Sequence, residues 1–216
     1  MALTNYAGLK GAIADFLNRD DLTARIPDFI TLAEASINRE IRHYEMENRA
    51  TAELSGQYLD RPNDWMETIR FHVTGSGTTN LKLLSAAAMA DKRQGAEDTT
   101  GHPKYYCHVE RAFEVYPTAD ATYEVELYYY EKVPALASLP ADSDGGEAAV
   151  TNWLLTDHPD VYLYGSLMHS APYLAEDERV GVWAQLYSAA VKRVNESGED
   201  AINSGSGLTL KVRGLG

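Results

Sequence analysis

The hydrophobic repeat changes period twice along this chain, and that order constrains the fold more than any single motif. Up to about residue 47 apolar side chains recur every three to four residues. From about 48 they alternate in short runs broken by Gly, Pro and Asn, and past residue 151 the helical spacing returns. A period of 3.6 marks a helix with one buried face and a period of two marks a strand. The expected plan is therefore helices, an antiparallel β region, then helices.

Tyr6, Leu9, Ile13, Phe16 and Leu17 predict a first helix over Asn5 to Leu17. Ile26, Phe29, Ile30, Ala33, Ile37, Ile41 and Tyr44 predict a second over Pro27 to His43, with Pro27 in the first turn, where its missing amide proton costs nothing. The expected strands are Thr51 to Leu54, Thr68 to Val73, Tyr105 to Val109, Ala112 to Tyr116 and Tyr123 to Val133. In the last, Tyr123, Val125, Leu127 and Tyr129 share one face while Glu124, Glu126, Tyr128 and Tyr130 share the other. Residues 75–80 read as a loop by composition, and Ser85 suits the cap of a short helix over Ala86 to Arg93. Pro159 opens a helix that ends or kinks at Pro172. A last helix starts near Ala175 behind Glu176, Asp177 and Glu178, acids placed at the positive end of the helix dipole.

Each flanking helix pair is too short to form a stable bundle alone, so the two pairs are expected to pack together with the β region inserted between them, an α+β chain. The expected divisions are N-terminal bundle helices over 1–47, an inserted β region with a short helix over 48–137, a loop over 138–150, C-terminal bundle helices over 151–196 and a flexible docking tail over 197–216. Ser and Gly dominate the start of that tail, and Leu208, Leu210 and Val212 alternate with Thr209, Lys211 and Arg213, as in a strand added to a partner's sheet edge.

Composition narrows the function classes. With 32 acidic against 19 basic residues the net charge is −13, which disfavours a grip on nucleic acid through counterion release. The single Cys107 excludes an internal disulfide framework and a Cys-based zinc site, and favours a reducing compartment. The start of the chain lacks the features of a signal peptide and no apolar run is long enough to cross a bilayer, so synthesis in the cytoplasm without membrane insertion is expected.

The search for catalytic motifs is negative. There is no Gly-x-x-x-x-Gly-Lys loop, no Gly-x-Ser-x-Gly elbow and no His-Glu-x-x-His pair. Cys107 and His108 are neighbours in a predicted strand and so point to opposite faces. His158 and His169 fall on one helix but about 16 Å apart, too far for one metal. The cap ahead of Pro159 is expected from Thr156 or Asp157. No metal or cofactor is expected, and the acidic pairs Asp20-Asp21 and Glu97-Asp98 read as solvated loop charge. The 14 Tyr residues, against 4 Phe and 3 Trp, suit wet contact surfaces as well as a β core. Tyr128 and Tyr130 either meet another subunit or the helical layer, or are merely amphipathic side chains flanking a core Tyr129.

The order of segments resembles one family. Arg25-Ile26-Pro27-Asp28-Phe29-Ile30-Thr31-Leu32-Ala33-Glu34, followed by Ile37-Asn38-Arg39-Glu40-Ile41-Arg42, is similar to the second helix of tailed-bacteriophage head-to-tail adaptor proteins. Arg61-Pro62-Asn63-Asp64-Trp65-Met66-Glu67 resembles the family's Pro-x-Asp-aromatic turn, and Gly101-His102-Pro103-Lys104-Tyr105-Tyr106 its Gly-x-Pro lead into a hairpin. Tyr128-Tyr129-Tyr130-Glu131-Lys132-Val133-Pro134-Ala135-Leu136 leads to the most specific match, Thr151-Asn152-Trp153-Leu154-Leu155-Thr156-Asp157-His158-Pro159-Asp160-Val161-Tyr162-Leu163-Tyr164. The hairpin at Glu110-Arg111-Ala112 departs from the pattern, since Gly is expected there.

The resemblance implies a structural virion connector of the particle neck with no catalytic residues. It implies a ring of about twelve copies between the portal protein and a tail or nozzle protein, through which DNA passes without sequence-specific binding. Such a ring would carry roughly 150 excess negative charges, which repel passing DNA rather than hold it. The contact residues expected from the sequence are Tyr128, Tyr130, Leu208, Leu210, Lys211, Val212 and Arg213. The competing expectations are a small acidic hydrolase or transferase and a tail-completion or decoration protein.

Overall fold

The computed structural model describes residues 3–75, 78–94, 100–140, 150–174 and 178–203. In chain order the elements are α1 (Tyr6–Leu17), α2 (Ile26–Glu40), β1 (Glu47–Leu54), β2 (Tyr58–Asp60), β3 (Trp65–Val73), β4 (Thr79–Asn80), β5 (Lys82–Leu83), α3 (Ala86–Gln94), β6 (Tyr105–Val109), β7 (Ala112–Tyr116), β8 (Tyr123–Glu131), α4 (Trp153–Asp157), α5 (Pro159–His169) and α6 (Arg179–Asn203). The chain is α+β, and its described residues divide into two units, one within Met1–Glu45 and Val133–Gly216 and the other within Met46–Lys132.

In the helical unit, Asn5 caps α1 by accepting from the Gly8 amide at 2.8 Å, and Asn18 closes it in the left-handed region at φ 51°. Tyr6, Leu9, Ile13 and Leu17 are buried as expected, whereas Phe16 is 46% exposed and lies off that face. Helix α2 buries Ile26, Phe29, Ile30, Ala33 and Ile37. It stops at Glu40 rather than His43, because Asn195 of α6 donates to the Glu40 carbonyl at 3.0 Å and accepts from the Arg42 amide at 2.9 Å, which releases Ile41 into extended backbone.

Helix α5 packs against α1, α2, α4 and α6, and is accordingly buried on several sides. Gly165 lets the neighbours come close: a Cβ there would lie 3.2 Å from the Ala33 Cβ and 3.1 Å from the Tyr187 ring. Asn152 caps α4 through the Leu155 amide, and α5 begins at Pro159 with no side-chain cap, so neither Thr156 nor Asp157 takes the expected role. Asn152 also donates to the Pro134 carbonyl at 2.9 Å and the Tyr162 hydroxyl at 2.7 Å. Asn38 and Glu34 of α2 accept the amides of Val133 and Leu136 at 2.9 and 2.8 Å. These bonds fasten the segment after Lys132 to α2, α4 and α5. Burial raises the Glu34 carboxyl, and the Leu136 amide only partly offsets it.

The expected start of the last helix near Ala175 lies outside the described residues. The helix then runs to Asn203, past the Glu196 boundary expected from the sequence. Gly198, which falls in the flexible tail expected over 197–216, is a packing glycine within the helix, since a Cβ there would lie 2.7 Å from the His43 ring.

The other unit holds two four-stranded sheets, ordered β1-β8-β3-β4 and β2-β7-β6-β5. Their inward faces share one core that includes Phe71, Val73, Phe113, Val115, Val125 and Leu127. Among the described residues the ladders are antiparallel except for the short pair β5 and β6, a parallel pairing that the sequence pattern does not predict, and an isolated parallel bridge joins Thr100 and Thr118. Strand β1 starts at Glu47 rather than Thr51, β3 starts at Trp65 rather than Thr68, and β8 ends at Glu131 rather than Val133. The loop expected over 75–80 includes β4, which pairs with His72 and Val73. Ser85 caps α3 through the Ala88 amide at 3.2 Å, as expected. Arg93 of α3 then donates to Glu114 at 2.6 Å and to the Val115 carbonyl at 2.8 Å, holding the helix on β7. The β6–β7 hairpin closes through Glu110 and Arg111, and Glu110 takes the positive φ of 50° that a Gly would adopt without strain.

Candidate protein–protein interface

Cys107, His108, His169 and His43 take part in packing and hydrogen bonding, while Glu97 and Asp98 lie outside the described residues. Cys107 faces Met89 and Tyr116, and burial with the nearby Glu114 carboxylate at 3.6 Å pushes its thiol up to about 11, so it is a poor nucleophile. His108 lies on the opposite face beside Trp65 and Phe113. His169 shares a 3.1 Å hydrogen bond with Ser36, which also accepts from Arg39 at 3.0 Å, a tie between α2 and α5. His43 stacks on Trp153 with ring centroids 5.1 Å apart. Burial lowers the pKa of both His43 and His169. Among the described residues no three His, Cys, Asp or Glu side chains gather as a metal site, and no helix is long and apolar enough to cross a membrane.

The contact residues named from the sequence fall in two places. Tyr128 and Tyr130 lie on the non-core face of β8, partly buried, and Tyr129 faces the core. Tyr129 donates to Asp64 at 3.2 Å, and burial together with that carboxylate pushes its hydroxyl up to about 12. Leu208, Leu210, Lys211, Val212 and Arg213 lie outside the described residues.

Strand register builds the surroundings of Tyr128. Arg49 of β1 and Arg70 of β3 lie opposite it, and the Arg70 guanidinium sits 4.5 Å from its ring centroid. Glu126, one pleat along on the same face, pairs with Arg49 and lies 3.7 Å from His72. The Arg49 bond holds the Glu126 carboxyl below its ordinary range. No local sequence signal marks Arg49, Arg70 or His72, because only the ladder brings them beside β8.

Two further surface features lie at opposite ends of this unit. A cavity of about 310 Å³ is lined by Arg61, Pro62, Asn63, Trp65, Arg111 and Lys132, with no acidic residue among them. The Arg61 guanidinium lies 4.3 Å from the Trp65 ring and donates to the Glu110 carbonyl. At the other end a cleft of about 450 Å³ is lined by Thr51, Ala52, Glu53, Thr122 and Glu124. There Glu53 and Glu124 are direct cross-strand partners.

The family profile described as SU10 adaptor protein matches residues 4–209, so the chain belongs to that family of phage head-tail adaptors. It is thus a structural virion component of a kind that interacts with other virion proteins. No curated protein matches the chain significantly.

Proposed function

We propose that the chain is the connector between the capsid portal and the tail or nozzle of its particle, working as a ring of about twelve copies around the DNA channel. The observation that carries this reading is the family match across residues 4–209, nearly the whole chain. In this reading the helices form a bundle into which the β region is inserted, and DNA passes an acidic wall without being held. Tyr128 and Tyr130 contribute to protein contacts on the outer face of their sheet. Residues beyond Asn203 act as a docking arm, with Leu208, Leu210 and Val212 pairing along a partner's sheet edge and Lys211 and Arg213 meeting acidic neighbours.

Sedimentation with and without portal rings tests the proposal. The expected result is a protomer that co-sediments with the portal as a closed ring. A chain that stays monomeric and never binds portal rings would refute it. Removing residues 204–216 is expected to leave thermal stability nearly unchanged while weakening attachment, and equal assembly by the truncated chain would remove the arm from the account.

A further inference from the structure

The β unit presents a cavity lined by cations at one end and a facing pair of carboxylates at the other. At one end the ladder sets Glu53 directly against Glu124, both exposed, and like charges in that arrangement repel across strands. At the other end, where β3 starts opposite the last residue of β8, Arg61, Arg111 and Lys132 surround a cavity floored by Trp65. Arg111 and Lys132 are exposed, and among the described residues neither side chain has an acidic partner. Strand β8 places Lys132 about 26 Å from Glu124, so these two charges cannot pair within one copy.

We infer that the basic cavity receives the Glu53/Glu124 end of a second copy, giving a head-to-tail contact between β units. Three features favour this occupant. The cavity is a cationic site on a chain of net charge −13, which repels a polyphosphate as a whole and leaves short-range contact with discrete carboxylates as its best use. The acidic end supplies two carboxylates whose mutual repulsion a cationic neighbour relieves. Trp65 with Arg61 stacked on it is an aromatic and guanidinium pair of the kind that anchors protein interfaces. Because the two surfaces differ, the contact is heterologous, and repeating it closes a ring when the rotation between copies permits. The inference deepens the proposed ring by naming its subunit contact, but does not depend on portal binding.

A carbodiimide joins a lysine amine to a carboxylate in direct contact, so it reports this geometry. Equal amounts of ¹⁴N- and ¹⁵N-labelled full-length chain, free at high concentration and bound to portal rings, would be cross-linked and mapped by mass spectrometry. The expected product is a mixed-isotope amide between Lys132 and Glu53 or Glu124. Arg111→Glu with Lys132→Glu should weaken self-association by about tenfold or more, as should Glu53→Lys with Glu124→Lys. Combining the two double variants should restore it, because one then has two acidic ends and the other two basic ends. Circular dichroism melts that match the parent chain would establish that each variant folds.

Self-association unchanged in both double variants, or no mixed-isotope amide in either the free or the portal-bound sample, would overturn the inference. So would a variant pair that fails to rescue, or basic-cavity variants that lose duplex DNA or another virion protein while still self-associating. Portal binding is scored separately in the same samples. Variants that bind the portal as single copies without closing would support the contact and keep the connector reading, whereas a parent chain that self-associates through Lys132 but ignores the portal would sink the connector reading alone.

Discussion

The two units place their polar groups differently. The helical unit ties several of them to its own backbone: the buried Glu34 carboxylate takes a backbone amide, Asn152 joins three segments and Asn195 finishes α2, although the buried Ser166 hydroxyl finds no partner among the described residues. The β unit relies on guanidinium–carboxylate pairs, Arg93 with Glu114 and Arg49 with Glu126, and leaves Arg111, Lys132, Glu53 and Glu124 facing outward at its ends. The contrast separates a scaffold that is closed on itself from a surface whose charges await a partner. It also says where substitutions should hurt folding and where they should hurt assembly.

The largest expected effect lies in the helical unit. Asn152→Ala removes the cap of α4 and leaves the Pro134 carbonyl and Tyr162 hydroxyl without a donor, which should cost about 3 kcal/mol in denaturant unfolding. Hydrogen exchange should localise the loss to the helices, and equal loosening of the β core would break the separation of the units. Gly198→Ala comes next, at about 2 kcal/mol, because the added Cβ collides with a His43 ring held by Trp153. A neutral result there would mean that α6 can shift freely past His43. In the β unit, Glu110→Gly should stabilise by about 1 kcal/mol by relieving the left-handed backbone of the β6–β7 turn, read as a higher midpoint at unchanged slope.

Acid should act on the units in different windows, as the smallest and most gradual of these effects. The lowered pKa values of His43 and His169 mean that these groups bind fewer protons in the folded helical unit than in the unfolded chain, so their contribution falls as pH drops below about 6.5, while the raised Glu34 carboxyl acts with the opposite sign on further acidification. For Glu114 burial pushes the carboxyl up, but Arg93 and Gln57 outweigh it and leave it below its ordinary range, as Arg49 does for Glu126. Their contribution is present above about 4.5 and is lost as pH falls through the lowered folded values. His108, exposed and also lowered by burial and by Arg61, adds only a minor imidazole-range component to the β unit. Amide exchange followed from pH 7 downward should therefore show the helices loosening first. Earlier loss in the β unit would contradict the assignment of charges.

Much of the helical fold is legible in the sequence because a buried stripe is a local signal. The faces of α1 and α2, the Ser85 cap and the alternation along β8 can all be read from neighbours three or four residues, or two residues, apart. What fails to show depends on distant partners. Gly198 reads as part of a Gly-rich tail until His43 is seen against it, and Asn195 ends a helix more than 150 residues earlier in the chain. The basic cavity draws on Arg61, Trp65, Arg111 and Lys132, whose spacing follows no period. Tyr128 and Tyr130 are visible as an outward pair, but Arg49 and Arg70 opposite Tyr128, and Glu47 and Glu67 opposite Tyr130, come from β1 and β3 and become visible only through strand register.

Electron cryo-microscopy of the intact particle's neck, with the chain tagged, decides whether this chain forms the ring joining portal to tail. The expected result is tagged density in a closed ring immediately beneath the portal, with adjacent β units in contact end to end. A neck in which the tag is absent, or appears only on the capsid shell or at the distal end of the tail, would contradict it.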